Sequence, residues 1–286
     1  MKEADRKFES AFKDLCYLNS QMRMAEVFDL WLEMCALAFR NQACKLRNND
    51  AEWQENETRY LKIVSEIGGK KGAAFAAEAF GLFKKSMLES PCDFLGQFYM
   101  NNEMGNERAG QFFTPYSVSS MLSKITVLEA KEKINNFSSF EVLSINDPSC
   151  GAGGMLVAAA DHLFFEKDPV SVDKVFLVGQ DIDRRCFYMT YMQLCALGCM
   201  GLVILGNTLT NTKDRIWETP ASAYFCGYER WQMMQAVKSK AIEIKTTEPA
   251  CDENEETIEN SSPIEVSGTI EPHFDLNLKC EQLSLF

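Results

Sequence analysis

The first hundred residues carry apolar side chains at helical spacing. Between Met22 and Phe39 they follow the three- and four-residue steps of one helix face, as Val27, Leu30, Trp31, Met34, Cys35 and Ala38. A second run, Arg59–Ile67, ends at a pair of glycines, and a third run, Gly72–Leu88, stops just before a proline. Residues 1–105 are therefore predicted to form a helical region.

The pattern changes near residue 110. Thr114 and Pro115 have the hydroxyl cap and first-turn proline of a helix start, and that helix is predicted to reach Ala130. Short β-branched runs then alternate with helical ones, giving strands at Glu141–Asp147, Lys174–Ile182 and Leu202–Leu205 with helices Gly154–Lys167 and Asp183–Leu197 between them. This order predicts an α/β fold with a parallel sheet over residues 106–240.

The segment after the third strand is predicted to hold no further strand. Asn211–Pro220 lacks an extended apolar run, and a final helix is predicted over Ser222–Lys240. That helix would place aromatic residues on one face, at Tyr224, Tyr228 and Trp231. The predicted sheet is therefore short, with an open edge beside its first strand that needs a cover. The aromatic helix or a second subunit is expected to supply it.

Composition separates the tail from the rest of the chain. The formal net charge is -12, and residues 241–286 contribute 11 acidic and 2 basic residues to it. Residues 241–280 are also rich in Glu, Thr, Ser and Asn, so they are predicted to be a disordered acidic linker. The remaining residues are nearly neutral, which argues against the basic stripe of a strong sequence-independent DNA binder.

Cysteine usage indicates a reducing compartment. The chain has 11 cysteines without a CxxC pair, and no apolar run is long enough to span a bilayer. We therefore expect a cytoplasmic protein without a membrane segment. Cys195 and Cys199 have helical metal-ligand spacing, but the two histidines are remote from them in sequence. Buried small apolar residues explain this pair better than a metal site.

Polar groups stand at the ends of three successive predicted strands. The first strand runs into a glycine-rich turn that includes Gly151 and Gly153, which allow a ligand to approach the backbone closely. The second ends at Asp181, where a carboxylate can accept hydrogen bonds from the two hydroxyls of a ribose. The third is followed by Asn207, which can hydrogen-bond an adenine edge. Together these positions predict a nucleotide-type cofactor site.

Four motifs in this order resemble one known family. They are Gly110–Pro115 (GQFFTP), Asp147–Met155 (DPSCGAGGM), Gly179–Asp183 (GQDID) and Gly206–Leu209 (GNTL), preceded by Asp93–Tyr99 (DFLGQFY). The combination is similar to the modification subunits of type I restriction systems, which are N6-adenine DNA methyltransferases. The resemblance implies a partial Rossmann-like domain that binds S-adenosylmethionine.

The resemblance also implies roles for individual residues. Thr114 and Pro115 would border the methionine end of S-adenosylmethionine, and Asp147 would hold its amino group. Asp181 would take the ribose hydroxyls and Asn207 the adenine amine, although the family more often has Asp at that last position. The complete cofactor-binding set implied in this way is Phe113, Thr114, Pro115, Asp147, Pro148, Gly151, Gly153, Asp181, Ile182 and Asn207.

The catalytic signature of that family has no counterpart in this sequence. Family members carry Asn or Asp, two prolines and an aromatic residue, which hold the target amine and stack on the flipped base. The eight prolines of this chain are all isolated. No catalytic residue is therefore assigned. Three interpretations stay open: an S-adenosylmethionine-binding protein that does not methylate, an adenine-N6 methyltransferase completed by another chain, and an acidic inhibitor that mimics DNA.

The final residues, 281–286, become apolar again after the polar linker. Gln282–Phe286 (QLSLF) resembles the pentapeptide by which bacterial proteins bind the DNA polymerase sliding clamp. The resemblance implies that Leu283, Leu285 and Phe286 enter an apolar pocket and that Gln282 hydrogen-bonds at its rim. The alternative is an apolar terminus that docks on its own fold.

Overall fold

The computed structural model describes residues 3–104, 113–134 and 136–247. The chain divides into one compact unit, Met1–Glu243, and a second unit, Ile244–Phe286, of which the described part is the end of a helix. The predicted boundary between residues 105 and 106 falls outside the described residues. So do most of the predicted linker and the whole predicted clamp peptide, residues 281–286.

The described residues of the N-terminal region form helices, as their periodicity predicts. These are α1 (Glu3–Leu18), α2 (Met24–Leu46), α3 (Asp50–Glu66), α4 (Gly69–Glu89) and α5 (Phe94–Asn101). Their shared core is aromatic: Phe8 and Phe12 surround Trp31 with ring centroids 5.5 and 5.9 Å away. The Trp31 indole donates a hydrogen bond to the Ala76 carbonyl at 3.1 Å, so even the polar atom of this fully buried ring is satisfied.

The second part of the fold is an α/β layer structure. Its elements are α6 (Tyr116–Ile134), β1 (Leu143–Asp147), α7 (Gly154–Phe164), β2 (Val175–Asp181), α8 (Arg184–Ala196), β3 (Gly201–Leu205), β4 (Arg215–Glu218), α9 (Pro220–Tyr224) and α10 (Gly227–Thr247). The sheet order is β1-β2-β3-β4, and the first three strands are parallel. The predicted α/β class and parallel pairing are confirmed.

A fourth strand corrects the prediction for Asn211–Pro220. Residues Arg215–Glu218 pair with β3 in the antiparallel sense, with Leu202 opposite Glu218 and Leu205 opposite Arg215. Trp217 holds this strand in place, since it is 4% exposed and lies 5.1 Å from the ring of Phe187. With a single buried residue in four, the strand lacks a detectable sequence pattern.

The last predicted helix is two helices. Cys226 has a φ of 52° and separates α9 from α10, so Tyr224 does not share a face with Trp231. Trp231 stacks on Phe176 of β2 at 5.5 Å and donates a hydrogen bond to Ser144 Oγ of β1 at 3.0 Å. The aromatic helix therefore covers a face of the sheet. Among the described residues, β1 pairs with β2 alone, so its other edge has no strand partner.

Helix α6 has an unusual distribution of apolar residues. It packs on α7 through small polar residues, with Ser119 and Ser123 buried at 1% and 3% exposure. Its larger apolar side chains lie on the exposed side, at Val118, Met121, Leu122, Ile125 and Leu128. Contiguous exposed apolar surface of this kind is typical of an interaction face. In the part of the chain that the structure describes, no helix combines the length and the apolar character needed to cross a membrane.

Trp217 offers a test of the fourth strand. We expect Trp217→Ala to lower the free energy of unfolding by about 3–5 kcal/mol, because truncating a buried aromatic ring leaves a cavity. Urea unfolding followed by circular dichroism measures this. Tyr17→Ala, at a residue that is 77% exposed, is the control and should change stability by less than about 0.5 kcal/mol. Equal unfolding midpoints for the two variants would show that β4 is wrongly placed.

Candidate cofactor site

The three predicted polar strand ends lie at one edge of the sheet. Asp147 ends β1, Asp181 ends β2, and Asn207 follows β3 by two residues. The strands are parallel and adjacent, so their carboxyl ends meet, which is where doubly wound sheets bind ligands. The structure thus brings these three residues together as the sequence predicts.

The glycine turn after β1 depends on backbone conformations that favour glycine. Gly151 and Gly153 have φ values of 55° and 92°, in the left-handed region. A Cβ on Gly153 would also lie 3.0 Å from the Thr190 hydroxyl oxygen. That hydroxyl donates a hydrogen bond to the Gly151 carbonyl at 2.9 Å, so a side chain of α8 fixes the backbone of the turn. Substituting either glycine would strain the turn.

Asp181 links the end of β2 to this turn. Its Oδ2 accepts a hydrogen bond from the Gly151 backbone N–H at 2.9 Å, and its Oδ1 accepts one from the Asp183 N–H at 2.9 Å. The alternative role of capping α8 belongs to Asp183, whose carboxylate accepts from the Arg185 N–H. Asp181 is therefore a fixed carboxylate beside the turn, and each oxygen keeps lone pairs that a ribose hydroxyl can use.

Asn207 is engaged within its own loop. Its Oδ1 accepts hydrogen bonds from the backbone N–H groups of Leu209 at 2.9 Å and Thr210 at 3.4 Å. The oxygen expected to receive an adenine amine is thus already used, and the side-chain amide N–H groups suit a ring nitrogen better. Two exposed apolar residues, Ile182 at 67% and Leu209 at 96%, stand near the same strand ends and offer surface for a flat base.

A small cleft borders the turn. Its volume is about 110 Å³, and its lining residues are Asp93, Phe113, Thr114, Ser119, Asp147, Ser149, Cys150, Gly151, Ala152, Gly154 and Met155. Phe113 would lie 3.1 Å from a Cβ on Gly151, so its ring closes the turn. Pro115 precedes α6 without lining the cleft, and the Pro148 carbonyl accepts a hydrogen bond from the Thr208 hydroxyl at 2.5 Å.

Two carboxylates line the cleft, and its described lining contains no lysine or arginine. Burial, together with the nearby charge of Asp181, raises the pKa of Asp147 above its ordinary value. Burial likewise raises the pKa of Asp93, against hydrogen bonds from Gln193 and Gly96. Burial also raises the pKa of the Cys150 thiol, which keeps it protonated and unreactive. The carboxylates in this lining suit a ligand group that carries positive charge.

Sequence reasoning missed Asp93 and Ser119 in this cleft. Asp93 caps α5, accepting from the Gly96 N–H at 3.0 Å, and its position 54 residues before Asp147 gives no sign of proximity. Ser119 sits in the first turns of α6, where a serine is unremarkable by pattern. The Asp93–Tyr99 motif was a signal for the first residue, and none existed for the second. Among the described residues, no group of three or more His, Cys, Asp or Glu side chains is arranged to hold a metal.

Parallel strands, a left-handed glycine turn and a carboxylate at the next strand end are typical of Rossmann-like domains that bind nucleotide cofactors. Residues 93–226 match the family model described as N-6 DNA Methylase. A relative, the type I restriction enzyme MjaIX methylase subunit of Methanocaldococcus jannaschii, is 29% identical over 120 residues. That match covers 42% of this chain and 18% of the relative. No solved structure matches the chain.

Residues 93–226 are therefore similar to N6-adenine DNA methylases. The matched segment includes all the quoted motifs and all three polar strand ends. The chain spans less than a fifth of the length of that curated relative.

Asp181 provides the first test of the site. We expect Asp181→Ala to weaken binding of S-adenosylmethionine by about 1–3 kcal/mol, because charge-assisted hydrogen bonds are lost. Isothermal titration calorimetry measures the affinity, and Asp14→Ala on the exposed side of α1 is the control. Wild-type protein that fails to bind at millimolar ligand, or a variant with unchanged affinity, would contradict the assignment.

Proposed function

We propose that this chain is an S-adenosylmethionine-binding protein of the N6-adenine methyltransferase family that does not methylate DNA by itself. The observation that carries the first half is the joint position of Asp147, Gly151 and Asp181 at one sheet edge, within the segment that matches the family. The second half depends on the absence of a Pro-Pro-aromatic signature from the sequence.

The cofactor set follows the order of the strands. S-adenosylmethionine, when bound, supplies an electrophilic methyl group on a positively charged sulfur. Asp181 would accept hydrogen bonds from the ribose hydroxyls, and Ile182 would support the adenine. Asp147 would face the amino group from the end of β1, while Phe113 and Thr114 would enclose the methionine side. The carboxylate lining favours a ligand with positive charge at that end.

Two structural features support a role without methylation by this chain. After β3 the chain turns back as the antiparallel strand β4, which ends the sheet on that side. On the other side β1 pairs with β2 alone among the described residues. The described fold therefore presents a cofactor cleft beside a free strand edge. The sequence has no Pro-Pro-aromatic motif that would hold a flipped adenine there.

A methylation assay tests this half of the proposal. We expect purified protein with DNA and radiolabelled S-adenosylmethionine to produce no N6-methyladenine, because nothing in the chain matches the base-binding signature. The matched control is Asp147→Ala, which removes a proposed cofactor contact. Methyladenine that forms with the wild type and disappears in this variant would overturn the proposal.

The alternative is an active adenine-N6 methyltransferase whose base pocket another chain completes. The free edge of β1 in the described sheet and the exposed apolar side of α6 each favour contact with a partner chain. The relative is itself described as a subunit. The same assay, repeated with proteins that copurify from the host, distinguishes the two functions, since methylation would then require the added fraction.

Association with DNA is proposed to be indirect. Residues 1–240 are nearly neutral, so their binding to DNA would release few counterions and gain little affinity from that release. The protein would therefore need another way to stay near DNA. Gln282–Phe286 would supply it by binding the bacterial sliding clamp. About 40 residues of acidic linker would separate this peptide from the folded body by roughly 35 Å on random-coil scaling. The acidic charge would keep the linker away from DNA.

The clamp tether has its own test. Leu285→Ala combined with Phe286→Ala should abolish pull-down by the purified host clamp, because these side chains supply most of the buried apolar area. We expect the wild-type tail to bind the clamp with a dissociation constant in the micromolar range, which corresponds to a binding free energy of about −8 kcal/mol. Leu276→Ala with Leu278→Ala is the matched control in the same tail. The tether is wrong if wild-type protein does not bind the clamp, or if the Leu285 and Phe286 double variant still does.

A further inference from the structure

A second cavity lies between α2 and α3, in the helical region of the chain. Its volume is about 330 Å³, and its lining residues are Ala38, Asn41, Gln42, Lys45, Trp53, Glu57 and Tyr60. These residues follow three- and four-residue steps, so each helix lines the cavity with one continuous face. None of them lines the cofactor cleft, so this cavity is a separate site.

Asn41 is a buried amide with an unused acceptor in this lining. It is 8% exposed, and its Oδ1 has no hydrogen-bond partner among the described residues. Its Nδ2 donates a hydrogen bond to Glu57 Oε2 at 3.2 Å. This bond fixes the orientation of the amide, because a flipped amide would place its oxygen against the carboxylate. A buried acceptor without a donor is destabilising, so the missing partner is an N–H or O–H group that a ligand can supply.

Two aromatic side chains line the α3 side of the cavity. Trp53 and Tyr60 are half-buried, so part of each ring is accessible. Aromatic rings of this kind bind flat heterocycles by stacking. Burial raises the pKa of the Tyr60 hydroxyl, which therefore stays protonated and can donate a hydrogen bond to a ring nitrogen. The cavity thus combines stacking surface with a hydrogen-bond acceptor and a donor.

Lys45 brings positive charge to the same cavity. Its ammonium lies 5.7 Å from the centre of the Trp53 ring. The lysine is exposed, so its ammonium can turn from the ring toward an anion held beside it. A lysine at this position disfavours a cationic ligand and suits a phosphate group.

The two helices are held together by contacts outside the lining of the cavity. Arg40 of α2 binds Glu52 of α3 through two hydrogen bonds of 2.6 and 2.7 Å. Arg47, just after α2, binds the Glu218 carboxylate of β4 at 2.7 Å. The cavity is therefore formed in the absence of a ligand, which lowers the conformational entropy lost on binding.

We propose that this cavity binds a nucleotide whose base carries an amine next to a ring nitrogen, as cytosine and adenine do. The amine would donate to Asn41 Oδ1, and the Tyr60 hydroxyl would donate to the ring nitrogen. The base would stack on Trp53, and the phosphate would face Lys45. The volume of about 330 Å³ accommodates a base and its ribose.

This site does not depend on the proposed function. S-adenosylmethionine has no phosphate and carries positive charge on its sulfur, so Lys45 disfavours it as the ligand of this cavity. The nucleotide has two sources, a free mononucleotide and a single strand of nucleic acid, which offer the same base and phosphate chemistry.

The first experiment compares cytidine 5′-monophosphate with uridine 5′-monophosphate on the full chain by isothermal titration calorimetry. Uracil has a carbonyl in place of the amine and an N–H in place of the ring acceptor, so its edge opposes the groups of Asn41 and Tyr60. We expect the cytidine nucleotide to bind at least tenfold more tightly. Asn41→Ala should reduce this ratio to nearly one.

Variants of Trp53 test stacking. Trp53→Ala should weaken binding of cytidine monophosphate about tenfold, while Trp53→Phe, which keeps an aromatic face, should retain most of the affinity. Leu61→Ala, at a residue of α3 that is 57% exposed and does not line the cavity, is the matched control and should bind like the wild type.

A lysine pair tests the phosphate contact. Lys45→Ala should weaken cytidine monophosphate several-fold and leave cytidine, which has no phosphate, unchanged. Lys62→Ala, on α3 outside the lining, should change neither ligand. Because Lys45 is exposed, its variant should fold normally and keeps the test decisive even if the Asn41 or Trp53 variants do not fold.

A single-stranded deoxycytidine hexamer distinguishes the two sources. Hexamer affinity well above that of the mononucleotide, lost in Trp53→Ala, would identify a strand as the ligand, and equal affinity per site would identify the mononucleotide. The proposal is overturned if wild-type protein does not bind cytidine monophosphate at millimolar concentration, if it binds the two nucleotides equally, or if folded Asn41, Trp53 and Lys45 variants bind like the wild type. Binding of S-adenosylmethionine, measured on the same sample, reports on the proposed function separately.

Discussion

The hydrogen bond from the Gly151 backbone N–H to the Asp181 carboxylate, 2.9 Å long, is the constraint on which the site depends. It joins the turn after β1 to the end of β2, two segments 30 residues apart. Asp183 fixes the other oxygen of the same carboxylate, and Thr190 of α8 fixes the carbonyl of Gly151. Three hydrogen bonds therefore fix the turn in the absence of a ligand, which lowers the conformational entropy that is lost on binding.

The residues around this turn form two groups that suit chemically different parts of the ligand. Apolar residues and amides lie toward β3, while carboxylates and helix N–H groups lie toward α7. The N-terminal helices contribute directly to the second group, since Asp93 belongs to the helical region and reaches the cleft through α5. Gln193 of α8 connects them, donating hydrogen bonds to Asp93 and to the Ala152 carbonyl at 2.7 Å. The helical region is thus part of the site and not an appendage.

Strong local patterns made much of the fold predictable, and weak or long-range ones did not. The order of strands and helices could be predicted from the periodicity of the apolar residues. The turn after β1 could be predicted because it contains several closely spaced glycines. β4 was missed because an edge strand with one buried residue has no period to detect. The break at Cys226 was missed because its positive φ is unusual for a non-glycine residue. Asp93 and Ser119 join the cleft only through tertiary packing, which spacing along the chain does not report.

The central claim is that the edge formed by Asp147, Gly151 and Asp181 binds the cofactor. Amide NMR of isotopically labelled protein titrated with S-adenosylmethionine tests it most directly, because it locates binding at individual residues without requiring catalysis. The account predicts saturable shifts at the amides of Gly151, Asp183 and Met155, with little change along α3. Saturable shifts confined to other elements, or none at millimolar cofactor, would contradict it.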